Sequence, residues 1–180
     1  MIYIFLAEGF EECEALAPLD ILRRAGIEVK TVGVGAKTVT GAHGIPVVCD
    51  IEDFCAVTDN LKGIILPGGM PGTLNLDKSD IVQNFVDFAN NNGLLIGAIC
   101  AAPLILGRKN ILKGKKATCF TGFEDELIGA VVLNSPVVSD ENIITAFGAG
   151  AAFDFGFCII SYLLGEEAAE ELKKQMRYTK

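Results

Sequence analysis

Histidine is almost missing from this chain, with His43 the only one in 180 residues. Zinc sites gather Cys and His at close spacing, whereas the six cysteines stand apart at positions 13, 49, 55, 100, 119 and 158, without a CxxC. The sequence therefore argues against a zinc enzyme, and one histidine in a turn leaves nothing from which to build a Ser-His-Asp set. Basic clusters are lacking too. None is longer than Arg23-Arg24, Lys115-Lys116 or Lys173-Lys174, and 15 basic against 23 acidic residues give a net charge of −8. Nucleic acid and anionic membrane surfaces repel such a chain, so neither is expected as a partner. Long uninterrupted apolar runs are scarce. Ile2–Ala7 is short, ends at Glu8 and has no basic region before it, which reads as a strand rather than a signal peptide. The stretch 143–165 is long enough to cross a bilayer, but a central Asp154 costs ~2.5–3.5 kcal/mol on insertion scales and the glycines lower its hydrophobicity further. It reads as a strand followed by a buried helix. A soluble, cytoplasmic protein with reduced thiols is expected.

What is present is enough for one folded domain over residues 1–180. The hydrophobic fraction is 51% and the charged fraction 21%, which supports a sizeable core and excludes intrinsic disorder. Apolar runs at Ile2–Ala7, Glu28–Val34, Lys62–Leu66 and Leu94–Ile99 read as strands covered on both faces, the last being the most central. Short strands are expected near Ala117–Phe120, Val137–Ser139 and Ile143–Ala146, and a small β excursion over Lys37–Asp50 turns at Gly41 and Gly44. Between them lie helices. One carries Leu16, Leu19 and Leu22 on a face, is interrupted by Pro18 and ends at Gly26. Another carries Ile81, Phe85, Phe88 and Ala89 and stops at Asn90–Gly93; a third runs over Ala101–Leu106. The chain closes with an unusually apolar helix, Phe153–Leu164, and one that opens on Glu166-Glu167 and ends on Lys173-Lys174, as the helix dipole favours. Alternation of strand and helix predicts an α/β fold: a doubly wound, mostly parallel sheet sandwiched by helices.

In such a sheet, ligands bind where the parallel strands end. The acidic turn Glu8–Glu14, the Gly68-Gly69 turn and the Ile99-Cys100-Ala101 junction all lie at that edge. Cys100, at a sharp strand-to-helix passage among small residues, resembles a nucleophile elbow, where helix amides would lower its pKa. The alternative is a buried structural cysteine. Glu14 is its natural carboxylate partner, sharing a proton with the sulfur; Glu11 and Glu12 read as a solvated first turn. Gly68-Gly69 with the Ala101 amide could form an oxyanion hole, or merely a tight turn. Gly33-Val34-Gly35 and Gly148-Ala149-Gly150 lack the full GxGxxG fingerprint, so no dinucleotide or other cofactor is expected. Cys49 and Cys55 read as packed thiols.

Five segments in order resemble the DJ-one/YajL-like branch of the ThiJ/PfpI superfamily. They are Leu6–Glu14, Asp20–Gly26, Leu66–Gly69, Ala98–Pro103 and Phe153–Phe155. The resemblance implies a flavodoxin-like sandwich that forms a homodimer. It implies that Cys100 is the reactive, oxidation-prone cysteine, Glu14 its protonated partner, and Gly69 and Ala101 the amide donors. The chain departs from relatives in having Phe120 where a histidine often stands, Phe147-Gly148-Ala149 in place of Arg-Gly-Pro, and Ala101 instead of the protease-type histidine, which argues against peptide hydrolysis. His43 stands where relatives place an arginine, on a segment implied to approach the other subunit's site; it is either an exposed turn residue or a base for the partner's Cys100. The expected function is a cofactor-free glyoxalase or deglycase acting on small 2-oxoaldehydes or glycated proteins. The rivals are an oxidative-stress sensor or chaperone whose Cys100 becomes sulfinate, and a plain binding scaffold.

Overall fold

The computed structural model describes residues 1–179. Its elements, in chain order, are β1 (Ile2–Leu6), α1 (Glu12–Arg24), β2 (Val29–Gly33), β3 (Thr38–Thr40), β4 (Pro46–Val48), β5 (Ile51–Glu52) and β6 (Gly63–Leu66). There follow α2 (Gly72–Lys78), α3 (Asp80–Asn91), β7 (Leu95–Ile99), α4 (Pro103–Arg108), β8 (Lys116–Ala117), β9 (Val131–Val132), β10 (Val137–Asp140), β11 (Ile143–Ala146), α5 (Ala152–Leu164) and α6 (Glu166–Gln175). Seven strands form the main sheet in the order β10-β11-β7-β6-β1-β2-β5. Only the β10–β11 hairpin is antiparallel; the other neighbours run parallel. The expected doubly wound α/β sheet is what the chain builds.

Every residue of β1, β6, β7 and β11 is buried, because helices cover both faces of the sheet. Successive side chains alternate between two cores. Tyr3, Phe5, Ile64, Leu66, Ile96 and Ala98 pack against α2, α3 and α4. Ile2, Ile4, Leu6, Ile65, Leu95 and Ile99 pack against α1, α5 and α6. Cys100, at the end of β7, touches both cores.

Some details differ from the sequence reading. The middle strand is β6, and β7 lies beside it. The buried residues of α1 are Glu12, Glu14, Ala15, Pro18, Ile21 and Leu22, whereas Leu16 and Leu19 are only half-buried on its flank. Ala15 and Pro18 face inward where α5 crosses closely: a Cβ on Gly156 would lie 3.2 Å from Pro18 Cα. The helix after Cys100 begins only at Pro103 and has six residues, so Cys100, Ala101 and Ala102 form a turn. Cys55 is exposed and Cys49 buried. The 143–165 stretch divides into β11 and α5, and among the described residues no helix is long and apolar enough to cross a membrane.

Candidate active site

The sheet reverses its winding direction beside β1, which is flanked by β2 on one side and β6 on the other. At this switch point the loops after β1 and β6 diverge and leave a crevice. The loop after β1 leads into α1 and Glu14, that after β6 is Pro67-Gly68-Gly69, and β7 ends next door at Cys100.

Cys100 sits in the left-handed backbone region, with φ of 64°. A non-glycine residue is held there only when its surroundings impose it, at a cost of about 1–3 kcal/mol. Two hydrogen bonds do so: Cys100 N donates to Ala146 O at 2.8 Å and Phe120 N donates to Cys100 O at 2.8 Å. The passage is the sharp elbow read from the sequence, pinned by the end of β11 and the segment after β8.

Glu14 faces it. The Glu11 carboxylate caps α1 by accepting from Glu14 N at 2.8 Å, and the Glu14 side chain, 1% exposed, accepts from Gly68 N at 2.9 Å. The Ala149 amide also donates to the Glu14 carboxyl, and the Cys100 thiol is hydrogen-bonded to it. Gly68 cannot be replaced. A Cβ there would lie 2.6 Å from both Cys100 Cβ and Glu14 Oε2, in the space across which acid and thiol meet. Its amide holds Glu14, so it does not serve an oxyanion hole with Gly69. Gly69, at φ of 88°, aims its amide at the Cys100 sulfur, as does Ala101.

Burial pushes the Glu14 carboxyl up to about 7, with the nearby Glu11 adding to the rise and the hydrogen bonds opposing it. Burial also pushes the Cys100 thiol up to about 12, and the negative charge of Glu14 contributes. This corrects the expectation of a thiol lowered by a helix start. The amides of Gly69 and Ala101 do favour thiolate, but they are outweighed by desolvation and a carboxylate neighbour. Between the two values the pair holds a single proton. Its reactive tautomer has the proton on Glu14 and the charge on sulfur.

Glu12 is a second correction. It is buried, not solvated, and its oxygens accept from the His43 amide at 2.8 Å, the His43 ring Nδ1 at 2.8 Å and the Ile45 amide at 3.4 Å. Burial opposes its charge, yet these bonds hold its carboxyl below the usual range, and the pairing raises the His43 pKa. His43 is exposed and bound to Glu12; within one chain it does not join Cys100. Glu11, Glu12 and His43 bring ligand atoms within 4.8 Å of one another, but Glu11 caps α1, and Glu12 and His43 are bonded to each other, tying the β3–β4 hairpin to α1.

The segment Phe147-Gly148-Ala149, read from the sequence as an incomplete nucleotide motif and as a departure from Arg-Gly-Pro, supplies two participants that had been given no role. One is the Ala149 amide. Phe147 joins the expected Phe120 in lining a cavity of about 370 Å³ with Thr121, Gly148, Ala149 and Gly150.

A sharply turned cysteine facing a buried glutamate at this edge is the arrangement that the ThiJ/PfpI resemblance implied, and the DJ-1/PfpI family description matches residues 1–162. The chain belongs to the DJ-1/PfpI family. Protein dj-1beta of Drosophila melanogaster is 33% identical over 174 residues, covering 95% of this chain and 93% of that one. A Caenorhabditis elegans relative named glutathione-independent glyoxalase DJR-1.2 is 32% identical, covering 94% of this chain and 91% of its own. The structure of oxidized Toxoplasma gondii DJ-1 superposes with a TM-score of 0.95 at 29% identity, over 99% of this chain and 98% of that one. Membership of the DJ-1/PfpI family accounts for the fold.

Proposed function

We propose that this DJ-1/PfpI protein is a cofactor-free, cysteine-dependent glyoxalase acting on small 2-oxoaldehydes or on the adducts they form with proteins. The observation that carries this reading is the strained Cys100 facing Glu14 across Gly68. The name of the glyoxalase relative at 32% identity supports the reaction class. Cys100 Sγ bonds to the aldehyde carbon of methylglyoxal or glyoxal. The carbonyl electron pair moves onto oxygen beside the Gly69 and Ala101 amides, and the oxygen takes the shared proton, giving a hemithioacetal. Glu14, as carboxylate, then removes the proton from that carbon and returns one to the neighbouring carbon, while the hydroxyl proton passes from the first oxygen to the second, leaving a 2-hydroxy thioester. Water releases the 2-hydroxy acid and restores the thiol. The rearrangement is an internal oxidation and reduction, so it calls for no redox cofactor. Methylglyoxal should be converted to hydroxy acid by the wild type and not by Cys100→Ala; turnover surviving in the variant would overturn the assignment.

A second reading has its own support in the relative described as oxidized. Peroxide would carry the Cys100 thiolate to sulfinate, and protonated Glu14 would donate a hydrogen bond to the new oxygen, slowing the last step to sulfonate. Mass spectrometry after mild peroxide should then find two added oxygens on Cys100 and none on the exposed Cys13 and Cys55; equal oxidation of all three would remove this role. Both readings include a homodimer, in which His43 on the β3–β4 hairpin would be available to the partner's Cys100, in the reducing setting of a cytoplasm.

A further inference from the structure

The cavity beside Cys100 is walled by two aromatic rings and carries no charge. Its lining is Phe120, Thr121, Phe147, Gly148, Ala149 and Gly150, in which the Thr121 hydroxyl is the sole polar side-chain group. Phe120 is 50% exposed and Phe147 37%, so both rings present unsatisfied apolar surface to the opening. Neither ring is placed loosely. The Phe120 amide donates to Cys100 O, and Phe147 directly follows Ala146, whose carbonyl accepts from Cys100 N. Gly148 in the cavity wall stands between ring and acid: a Cβ there would lie 3.3 Å from Phe120 Cδ2 and 4.0 Å from Glu14 Oε1. A group lodged against Phe120 and Gly148 is therefore close to the carboxyl that shares the Cys100 proton. A volume of about 370 Å³ accommodates a single ring but not a polypeptide segment. No cation lines the cavity to receive a carboxylate, the Glu14 carboxyl lies behind Gly148 in its wall, and the chain carries a net charge of −8.

We propose that this cavity is an aryl subsite, which receives the uncharged aromatic end of an arylglyoxal while its aldehyde carbon meets Cys100. Neutral aromatic 2-oxoaldehydes are then the preferred substrate class, and anionic ones are rejected. The chemistry rests on the glyoxalase reading above: the aldehyde carbon bonds to sulfur, a proton moves from it to its neighbour through Glu14, and water releases an aryl 2-hydroxy acid. The subsite itself can be tested without turnover. Rates of Cys100 alkylation by phenacyl bromide, iodoacetamide and iodoacetate, each divided by the rate with a free thiol, should favour the phenacyl reagent by about tenfold over iodoacetamide, what roughly 55 Å² of apolar surface removed from water is worth. Iodoacetate should be the slowest. In Phe120→Ala and Phe147→Ala the phenacyl preference should fall towards one. In turnover, phenylglyoxal should exceed both methylglyoxal and 4-carboxyphenylglyoxal in kcat/KM, and the same substitutions should erase that ratio. Equal normalised alkylation rates in the wild type, or a preference kept in both variants, overturn the subsite. Retained alkylation preference with no turnover of any oxoaldehyde supports the subsite and removes the glyoxalase reading, so the two failures are told apart.

Discussion

Glu14 couples the chemistry of the site to the stability of the fold. Its carboxyl is ordinary near 4.5 in an unfolded chain and is pushed up to about 7 by burial in the folded one. Between those values the folded state holds the proton more tightly, so stability from this group is fully present below about 4.5 and is lost as pH rises through about 7. The full effect is on the order of 3 kcal/mol. Urea unfolding should show the difference between wild type and Glu14→Gln changing by that amount between pH 4.5 and 8, the wild type weakening relative to the variant. Parallel profiles would mean that Glu14 ionises freely. The alkylation rate of Cys100 should rise through pH about 7 in the wild type, as the one-proton state forms, and lose that midpoint in Glu14→Gln. Cys100 and Glu14 were legible as a pair because each follows a strand that ends at the same edge. The direction of the thiol shift was not legible, because it depends on how closely Gly68 lets the two groups approach. Nor was the burial of Glu12, which depends on a hairpin folding over it from 31 residues away.

The elements show the same division between local and tertiary information. Strands β1, β6 and β7 declare themselves as short apolar runs, and α3 by its periodic face, since burial on one side leaves a period in the sequence. Helix α2 does not. It has seven residues, of which Gly72, Thr73 and Leu76 are buried, too few to leave a period. Closeness of approach is equally hidden, and the crossing of α1 over α5 makes it measurable. A Cβ on Gly156 would meet Ile21 Cδ1 at 2.9 Å and Pro18 Cα at 3.2 Å. Alanine is favoured over glycine within a helix by about 1 kcal/mol, whereas overpacking costs about 1–3 kcal/mol. With Pro18 unable to give, Gly156→Ala should destabilise the protein by about 1 kcal/mol, read as a lower urea midpoint at unchanged slope. A stabilised variant would show that Ile21 swings aside and that the helices are not held by this contact.

At the scale of the molecule, α5 is apolar on nearly every side, more than one face of a sheet can cover, which makes it one candidate for a surface shared with a second subunit. Most of that perimeter is used within the chain: Ala152, Phe155, Gly156, Phe157, Ile159 and Ile160 are buried, and Phe153 stacks on Tyr178. Phe153 at its start and Tyr162 and Leu164 at its far end nonetheless remain exposed. Larger apolar surface is left by the hairpin and the segment after it, where Ile45, Val48, Phe54 and Val57 are all exposed. Four large apolar side chains exposed within thirteen residues are the better candidate for a surface covered by a second copy. Sedimentation at micromolar concentration should find a two-chain particle, with Val48→Lys dissociating it and Leu164→Lys leaving it intact; the reverse result would return the interface to α5, and a wild-type monomer would remove it. The same hairpin carries His43, so dissociation has a chemical consequence if the ring serves the partner's Cys100. In that case Val48→Lys and His43→Ala should slow Cys100 alkylation by the same factor, and combining them should slow it no further.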